Sequence, residues 1–209
     1  CLNNFELKEI AKICDKNDIL AIEDLAYLGM DFRKDYSVPF SKPFIPTIGK
    51  FGKNWITLIS ASKAFSFPGP RCAISIISPH LNEKKYSNLK DFCDREQFGH
   101  AFSLGGLYVT TSGTSHTAQY ALAKMLDSAT NNEFNFIKVT SEYGKRAEKV
   151  KEIFLKYGFK QVYKKDMDEP VGNGFYLTMS YPKYNGNDLM LELLRYGIST
   201  ITLKSTGSV

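Results

Sequence analysis

The chain has 209 residues, 43% of them hydrophobic and 13% aromatic; this is enough apolar mass for a sizeable core in one or two domains, and it excludes a disordered chain. Its net charge of +5 comes from scattered Lys and Arg, densest at the pairs Lys84-Lys85 and Lys164-Lys165. That spread excludes the basic stripe with interleaved aromatics that nucleic acid needs, and suits a mildly anionic small molecule better. Cys1, Cys14, Cys72 and Cys93 form no CxxC pair, which argues against a disulfide framework or a zinc site and for a reducing, cytoplasmic compartment. No long apolar run appears and His80, His100 and His116 are dispersed, so neither a membrane nor a metal is expected as a partner.

Phe5 to Asp15 carries Leu7, Ile10, Ala11 and Cys14 at helical spacing and reads as a helix. Asp18 then leads into Ile19 to Ile22, an apolar run typical of a buried parallel strand, which stops at the polar pair Glu23-Asp24. Residues 30–54 hold three prolines and little periodicity, so a long excursion is expected there. Strands are predicted at Trp55 to Ile59 and Cys72 to Ile77, helices at Ser87 to Arg95 and His116 to Leu126. Ser141 to Tyr157 reads as a long charged helix with a stripe of Ala147, Val150, Ile153 and Phe154. Strands at Lys160 to Tyr163 and Gly174 to Met179 follow, then a helix from Asn187 to Tyr196 stopped by Gly197, and a last strand at Ile198 to Leu203. Alternating strands and helices imply an α/β fold, and a composition shift near Asn131-Asn132 divides it at 1–130 and 131–209. The chain opens at Cys1 rather than Met and ends at Val209 straight after a strand-like run, so it is expected to belong to something longer.

The stretch from Ser60 to Arg71, taken with Glu23-Asp24 and Tyr27, carries the chemistry. Lys63 lies just past a strand, where ligand crevices open in α/β sheets, with Ser60 and Ser62 beside it. Pro68-Gly69-Pro70 enforces a tight turn that presents Arg71, whose planar fork suits phosphate oxygens. Lys63 can form an imine with an aldehyde, and Asp24 can hold a proton on a ring nitrogen. On a strand Asp24 and Ala26 share a face and Glu23 points away, leaving room for a flat ring beside the acid. Each residue also has a plainer reading: Asp24 as a loop cap, Lys63 as a solvated side chain, Arg71 as half of an ion pair. The hydroxyls from Thr110 to Ser115 can cap the following helix, and Tyr36, Phe40 and Phe44 either touch substrate or form a satellite apolar cluster.

Asp24-Leu25-Ala26-Tyr27 followed by Ser60-Ala61-Ser62-Lys63 and Phe67-Pro68-Gly69-Pro70-Arg71-Cys72-Ala73 resembles, in both motifs and their order, the class I/II aminotransferases among the fold-type I pyridoxal phosphate enzymes. Gln119 early in a helix, the long linking helix and Gly172-Asn173-Gly174-Phe175-Tyr176 extend the similarity over essentially the whole chain; Cys72 departs from the family's usual residue there and puts local packing in question. The resemblance implies the latter part of a large mixed-sheet domain (1–130) and most of a small α/β domain (131–209). It implies that Lys63 forms the internal aldimine and shuttles the α-carbon proton, and that Asp24 pairs with the pyridine nitrogen. Tyr27 would hydrogen-bond the cofactor's phenolic oxygen, Ala26 would lie against the ring, and Ser60, Arg71 and Ser62 would hold the phosphate. An amino acid and a 2-oxo acid would be the substrates and a homodimer the assembly, with the hydroxyls from Thr110 to Ser115 turned towards the partner subunit's cofactor phosphate as the alternative to helix capping. The family's glycine-rich phosphate turn, ring-stacking aromatic and asparagine fall before this stretch and its carboxylate-binding arginine after it; Arg195 is not given that role. The 209 residues alone are therefore expected to be inactive. A pyridoxal phosphate lyase or decarboxylase on the same scaffold, and a non-catalytic module or inert fragment, are the alternatives.

Overall fold

Asn3 starts the first helix of the computed structural model, which describes residues 2–166, 168–171 and 174–208. Cys1, Val209 and the Gly172-Asn173 pair of the small-domain motif lie outside the described residues. Backbone contacts divide the chain into one unit of Cys1–Gly29 and Lys34–Val139 and a second of Met30–Arg33 and Thr140–Val209.

In the first unit, α1 (Asn4–Lys16) begins with a reciprocal cap. Asn3 Oδ1 accepts from the Phe5 and Glu6 amides at 2.9 and 3.0 Å, and Glu6 Oε2 accepts from the Asn3 amide at 2.7 Å. Leu7 and Ala11 of α1 are buried with Ile48, against Ala21, Phe51 and Trp55. The helix ends with Asp18 in the left-handed region (φ 52°) and the Ile19 amide bonded back to the Cys14 carbonyl at 2.8 Å. This Schellman closure draws Ile19 into the helix end. For that reason β1 is Ala21–Asp24, starting two residues later than the apolar run suggests and ending, as expected, at Asp24.

β2 (Trp55–Ser60) runs parallel to β1, and β3 (Ala73–Ile77) runs antiparallel to β2, giving the order β1-β2-β3. Asp24 pairs with Leu58, and Ser60 with Ala73. The ends of β1 and β2 and the start of β3 therefore meet at one end of the sheet. Between β2 and β3, α2 (Ala61–Ala64) and the turn after it bury Ala61, Ala64, Phe65 and Cys72. These pack with Ala118 and Leu122, and the Phe65 and Phe136 rings lie 4.7 Å apart. Cys72 is thus a core residue in this fold. Residues 34–54 of the excursion form turns and a 3-10 turn at Ile48–Lys50, tied back where Asp15 accepts from the Lys53 and Asn54 amides.

After α3 (Pro79–Glu83) the helix expected at 87–95 is only a 3-10 turn, Ser87–Asp91. A backbone bridge between Lys85 and Gln97 closes this segment into a loop and leaves no length for a helix. A helix unforeseen from sequence follows: α4 (Phe98–His100), a π-helical stretch at Ala101–Tyr108 and α5 (Val109–Thr111). Its glycines lower helix propensity, yet a Cβ at Gly99 would collide with the Asn82 side chain, so packing overrides propensity here. The hydroxyls of Thr110 and Thr111 bond back to the Gly106 and Leu107 carbonyls, and α6 (His116–Thr130) starts at Ser115 without a side-chain cap. The capping reading of those threonines is thereby corrected.

α7 (Phe136–Lys156) starts in the first unit and begins five residues before the sequence suggests. In the second unit it buries Thr140, Gly144 and Ala147, while Val150 and Ile153 of the expected stripe are exposed. Gly144 takes the Phe32 ring: a Cβ there would lie 2.7 Å from it. Phe154, Phe159, Tyr181 and Tyr184 form a chain of edge-on rings 4.6 to 6.0 Å apart. β4 (Lys160–Gln161), β5 (Lys165–Asp166), β6 (Glu169–Pro170) and β7 (Met179–Ser180) form two short antiparallel pairs, β4-β7 and β5-β6. The strands expected at 160–163 and 174–179 shrink to two residues each. α8 (Gly186–Arg195) is capped by Asn185 and stopped by Gly197 at φ 77°. The last expected strand is absent among the described residues. No described strand lies beside Ile198 to Leu203, and Thr202 instead caps a 3-10 turn at Leu203–Thr206. Among the described residues no helix is long and apolar enough to cross a membrane.

Candidate active site

Every residue singled out for cofactor chemistry lies in the first unit, at the sheet end where β1 and β2 finish and β3 begins. Asp24 is the last residue of β1 and its side chain is exposed. Its Oδ1 accepts from the Ala26 amide at 2.9 Å, so the acid also caps the turn that follows. That turn begins at Ala26, and strand alternation therefore does not carry past Asp24; the shared face expected for Asp24 and Ala26 is replaced by a direct hydrogen bond. Tyr27 sits on the same turn, partly exposed.

On the neighbouring strand, Ser60 ends β2 and caps α2, its Oγ accepting from the Ser62 amide at 3.2 Å. Lys63 lies in the single turn of α2, half-buried, with Nζ 6.0 Å from the centre of the Tyr27 ring. Parallel pairing of β1 with β2 causes this approach: it sets two loops, one bearing Tyr27 and one bearing Lys63, side by side.

Arg71 is exposed, in the left-handed backbone region at φ 54°, and its Nη1 donates to the Pro68 carbonyl at 2.8 Å. A non-glycine residue in that region is uncommon and is held there by its surroundings. They are the Pro68-Gly69-Pro70 turn on one side and Cys72 on the other, whose carbonyl accepts from the Ala61 amide at 3.1 Å. Among the described residues Arg71 makes no ion pair with a carboxylate, so the salt-bridge reading is not realised. Phe40 and Phe44 are exposed and join neither apolar cluster found among the described residues, and Arg195 pairs with Glu192 in α8. Among the described residues no group of three His, Cys, Asp or Glu side chains could hold a metal ion.

Sequence reasoning gave Glu23 only a direction. Its carboxylate gathers three donors: Thr47 Oγ1 at 2.6 Å and Thr57 Oγ1 at 3.1 Å on Oε2, and the Ile48 amide at 3.2 Å on Oε1. The available signal was strand alternation, which sets Glu23 on the face opposite Asp24.

The family model for aminotransferase class I and II matches residues 1–201. The chain belongs to the class I and II aminotransferase family. Its fold is that of solved aminotransferases. It superposes on N-succinyldiaminopimelate aminotransferase from Mycobacterium tuberculosis with a TM-score of 0.66 at 16% identity, over 96% of this chain and 44% of that one. For L,L-diaminopimelate aminotransferase from Chlamydomonas reinhardtii the TM-score is 0.62 at 22% identity, over 93% and 42%. For aspartate aminotransferase from Thermus thermophilus with maleate it is 0.65 at 18%, over 96% and 44%. The chain thus spans less than half the length of these aminotransferases. None of the curated proteins compared matches it. The α/β, fold-type I architecture expected from the alternating elements and the two motifs is the one found.

Proposed function

We propose that the protein is a pyridoxal phosphate-dependent aminotransferase that moves an amino group between an amino acid and a 2-oxo acid. The observation that carries this reading is half-buried Lys63, with its Nζ 6.0 Å from the centre of the Tyr27 ring, at the sheet end where Asp24 terminates the adjacent parallel strand. The donor set suits the cofactor: an amine, a carboxylate, a phenol, two serine hydroxyls and a guanidinium are carried by the chain at two strand ends and ahead of one strand start. When bound, pyridoxal phosphate supplies an aldehyde that condenses with amines and a ring that withdraws electrons from the substrate's α-carbon.

The residues then divide the work. Lys63 would anchor the cofactor and, once displaced, hold or move the proton at the α-carbon, as general-base lysines do. Asp24, which keeps Oδ2 beyond the oxygen used by Ala26, would keep a proton on the ring nitrogen, since a nearby carboxylate favours the charged form. Tyr27 would donate to the phenolic oxygen, and Ala26 would lie against the ring. Ser60, Arg71 and Ser62 would grip the phosphate; Arg71 would exchange its bond to Pro68 for charge-assisted bonds to phosphate oxygens. The same reading takes residues 1–130 as part of a large cofactor domain and 131–209 as part of a smaller one, with a cytoplasmic homodimer as the working assembly.

The test uses the full-length polypeptide. Incubated with pyridoxal phosphate it should develop a visible absorption band, and after hydride reduction mass spectrometry should find the cofactor fixed on Lys63. Lys63→Ala should lose both signals. Mixing with amino acids should bleach the band and release a 2-oxo acid; a colourless wild type, or release of ammonia or carbon dioxide instead, would overturn the assignment.

A further inference from the structure

Glu23 stands outside every role given above, yet it is the most heavily ligated carboxylate near the site. Its donors come from two places. Thr57 belongs to β2, lies directly opposite Glu23 in the sheet register, and is buried, so Glu23 supplies the acceptor its hydroxyl needs. Thr47 and Ile48 belong to the far end of the excursion. Thr47 Oγ1 accepts from the Gly49 amide at 3.3 Å while donating to Glu23, and Ile48 is 3% exposed in the core with Leu7, Ala11 and Trp55. One side chain therefore ties β1 to β2 and to a loop whose own end is locked in the core.

We infer that Glu23 is a positioning residue for the cofactor site, fixing from the opposite face of β1 the direction in which Asp24 presents its carboxylate. Successive strand residues point to opposite faces, so holding the Glu23 side chain sets the local pleat and, with it, the Asp24 Cα–Cβ direction. The clamp is completed one residue beyond Asp24, where the Leu25 amide donates to the Leu58 carbonyl at 2.8 Å. Among the described residues Asp24 itself has little else to orient it: its side chain is exposed, and its Oδ1 accepts from the Ala26 amide, on the turn that its own strand end launches. A site tolerates only small angular errors, and residues behind the contacting groups supply that precision.

This inference rests on the proposed role of Asp24, and its test separates the two. In the full-length polypeptide, Glu23→Ala should weaken pyridoxal phosphate binding roughly tenfold, the order expected for a misdirected charged contact. It should also displace the pH midpoint of the bound cofactor's visible band. In the cofactor-free protein, amide exchange at Leu25 should accelerate. Glu23→Gln keeps a carbonyl acceptor and a group able to bond a threonine hydroxyl, and should restore most of each signal. A Glu23→Ala protein that melts earlier but keeps wild-type cofactor affinity, band midpoint and Leu25 exchange would show a purely structural residue and overturn the inference. Should Glu23→Ala not fold, Thr57→Val, which removes one donor at nearly constant shape, carries the same readouts: smaller shifts in the same direction support the inference, and unchanged values overturn it. A wild type that binds no cofactor sinks the site reading and this inference with it. A wild-type band lost in Lys63→Ala but indifferent to Glu23 sinks this inference alone.

Discussion

Asp31 shows what one residue can add to the second unit. Its Oδ1 accepts from Arg33 Nε at 2.8 Å and from the Arg33 amide at 3.2 Å, and its Oδ2 from Arg33 Nη2 at 2.6 Å. Arg33 also reaches the Pro170 carbonyl, so the pair links the short segment Met30–Arg33 to β6. The Arg33 side-chain hydrogen bonds lower the Asp31 pKa below its ordinary 3.8, and desolvation opposes them without reversing the shift. The sign follows: a carboxyl depressed in the folded state contributes stability that is complete above the unfolded value and disappears as pH falls through the folded one. Asp31→Asn should therefore lower the urea midpoint by a constant amount from neutral pH down to about 4, and the gap to wild type should close below that. Circular dichroism melts in urea across this range check it. A gap that widens in acid would mean that Asp31 acts by some route other than its charge.

At the scale of elements, residues whose partners are near in sequence were the legible ones. α1, β2, β3, α6 and α8 follow from apolar spacing and, for α8, from the stop at Gly197, while its Asn185 cap emerged only in the structure. Asp24, Ser60, Lys63 and Arg71 were legible as members of two short motifs, each local, although the pairing of β1 with β2 that sets them at one sheet end is long-range. What escaped depends on distant partners. The helix from Phe98 to Thr111 is hidden by glycines whose necessity lies in Asn82 and Cys93. The strand expected after Gly197 has strand-forming residues but, among the described residues, no neighbour to pair with. Glu23 had no visible role because Thr47 lies 24 residues away in sequence. Local caps remain the elements' cheapest test. Asn3 satisfies two amides at the start of α1, and Asn3→Ala should cost about 1 kcal/mol, with Asn3→Asp nearly neutral. Trp55, the single tryptophan, packs against the cluster that holds Leu7, so its fluorescence should report the loss directly. An unchanged denaturation midpoint in Asn3→Ala would show that α1 is held by packing alone.

For the 209 residues as a whole, burial is incomplete in a patterned way. Phe5 and Ile13 lie eight residues apart in α1, two helical turns along one face, and are 69% and 56% exposed. Ile22 on β1, whose outer edge has no strand beside it among the described residues, is 63% exposed, and Val109 of α5 is 72% exposed. Scattered apolar side chains at a surface need no explanation, whereas an aligned pair on a helix face and an apolar residue on an open strand edge each invite association. Residues 1–209 prepared alone should therefore bind an apolar-surface dye and self-associate as concentration rises, as sedimentation velocity would show. The strand edge and the helix face make separable contributions. Phe5→Glu together with Ile13→Glu should cut dye binding without unfolding α1, because both side chains point away from Leu7 and Ala11, which form the buried face of that helix. A charge at Ile22 should instead act mainly on association, since an edge strand templates pairing through its backbone and a charged side chain there blocks it. If residues 1–209 stayed monomeric and bound no dye at any concentration, the exposed faces would have to be closed in solution by a rearrangement of α1 against β1. Faster amide exchange in Leu7 to Ala11 than in β2 would then reveal it.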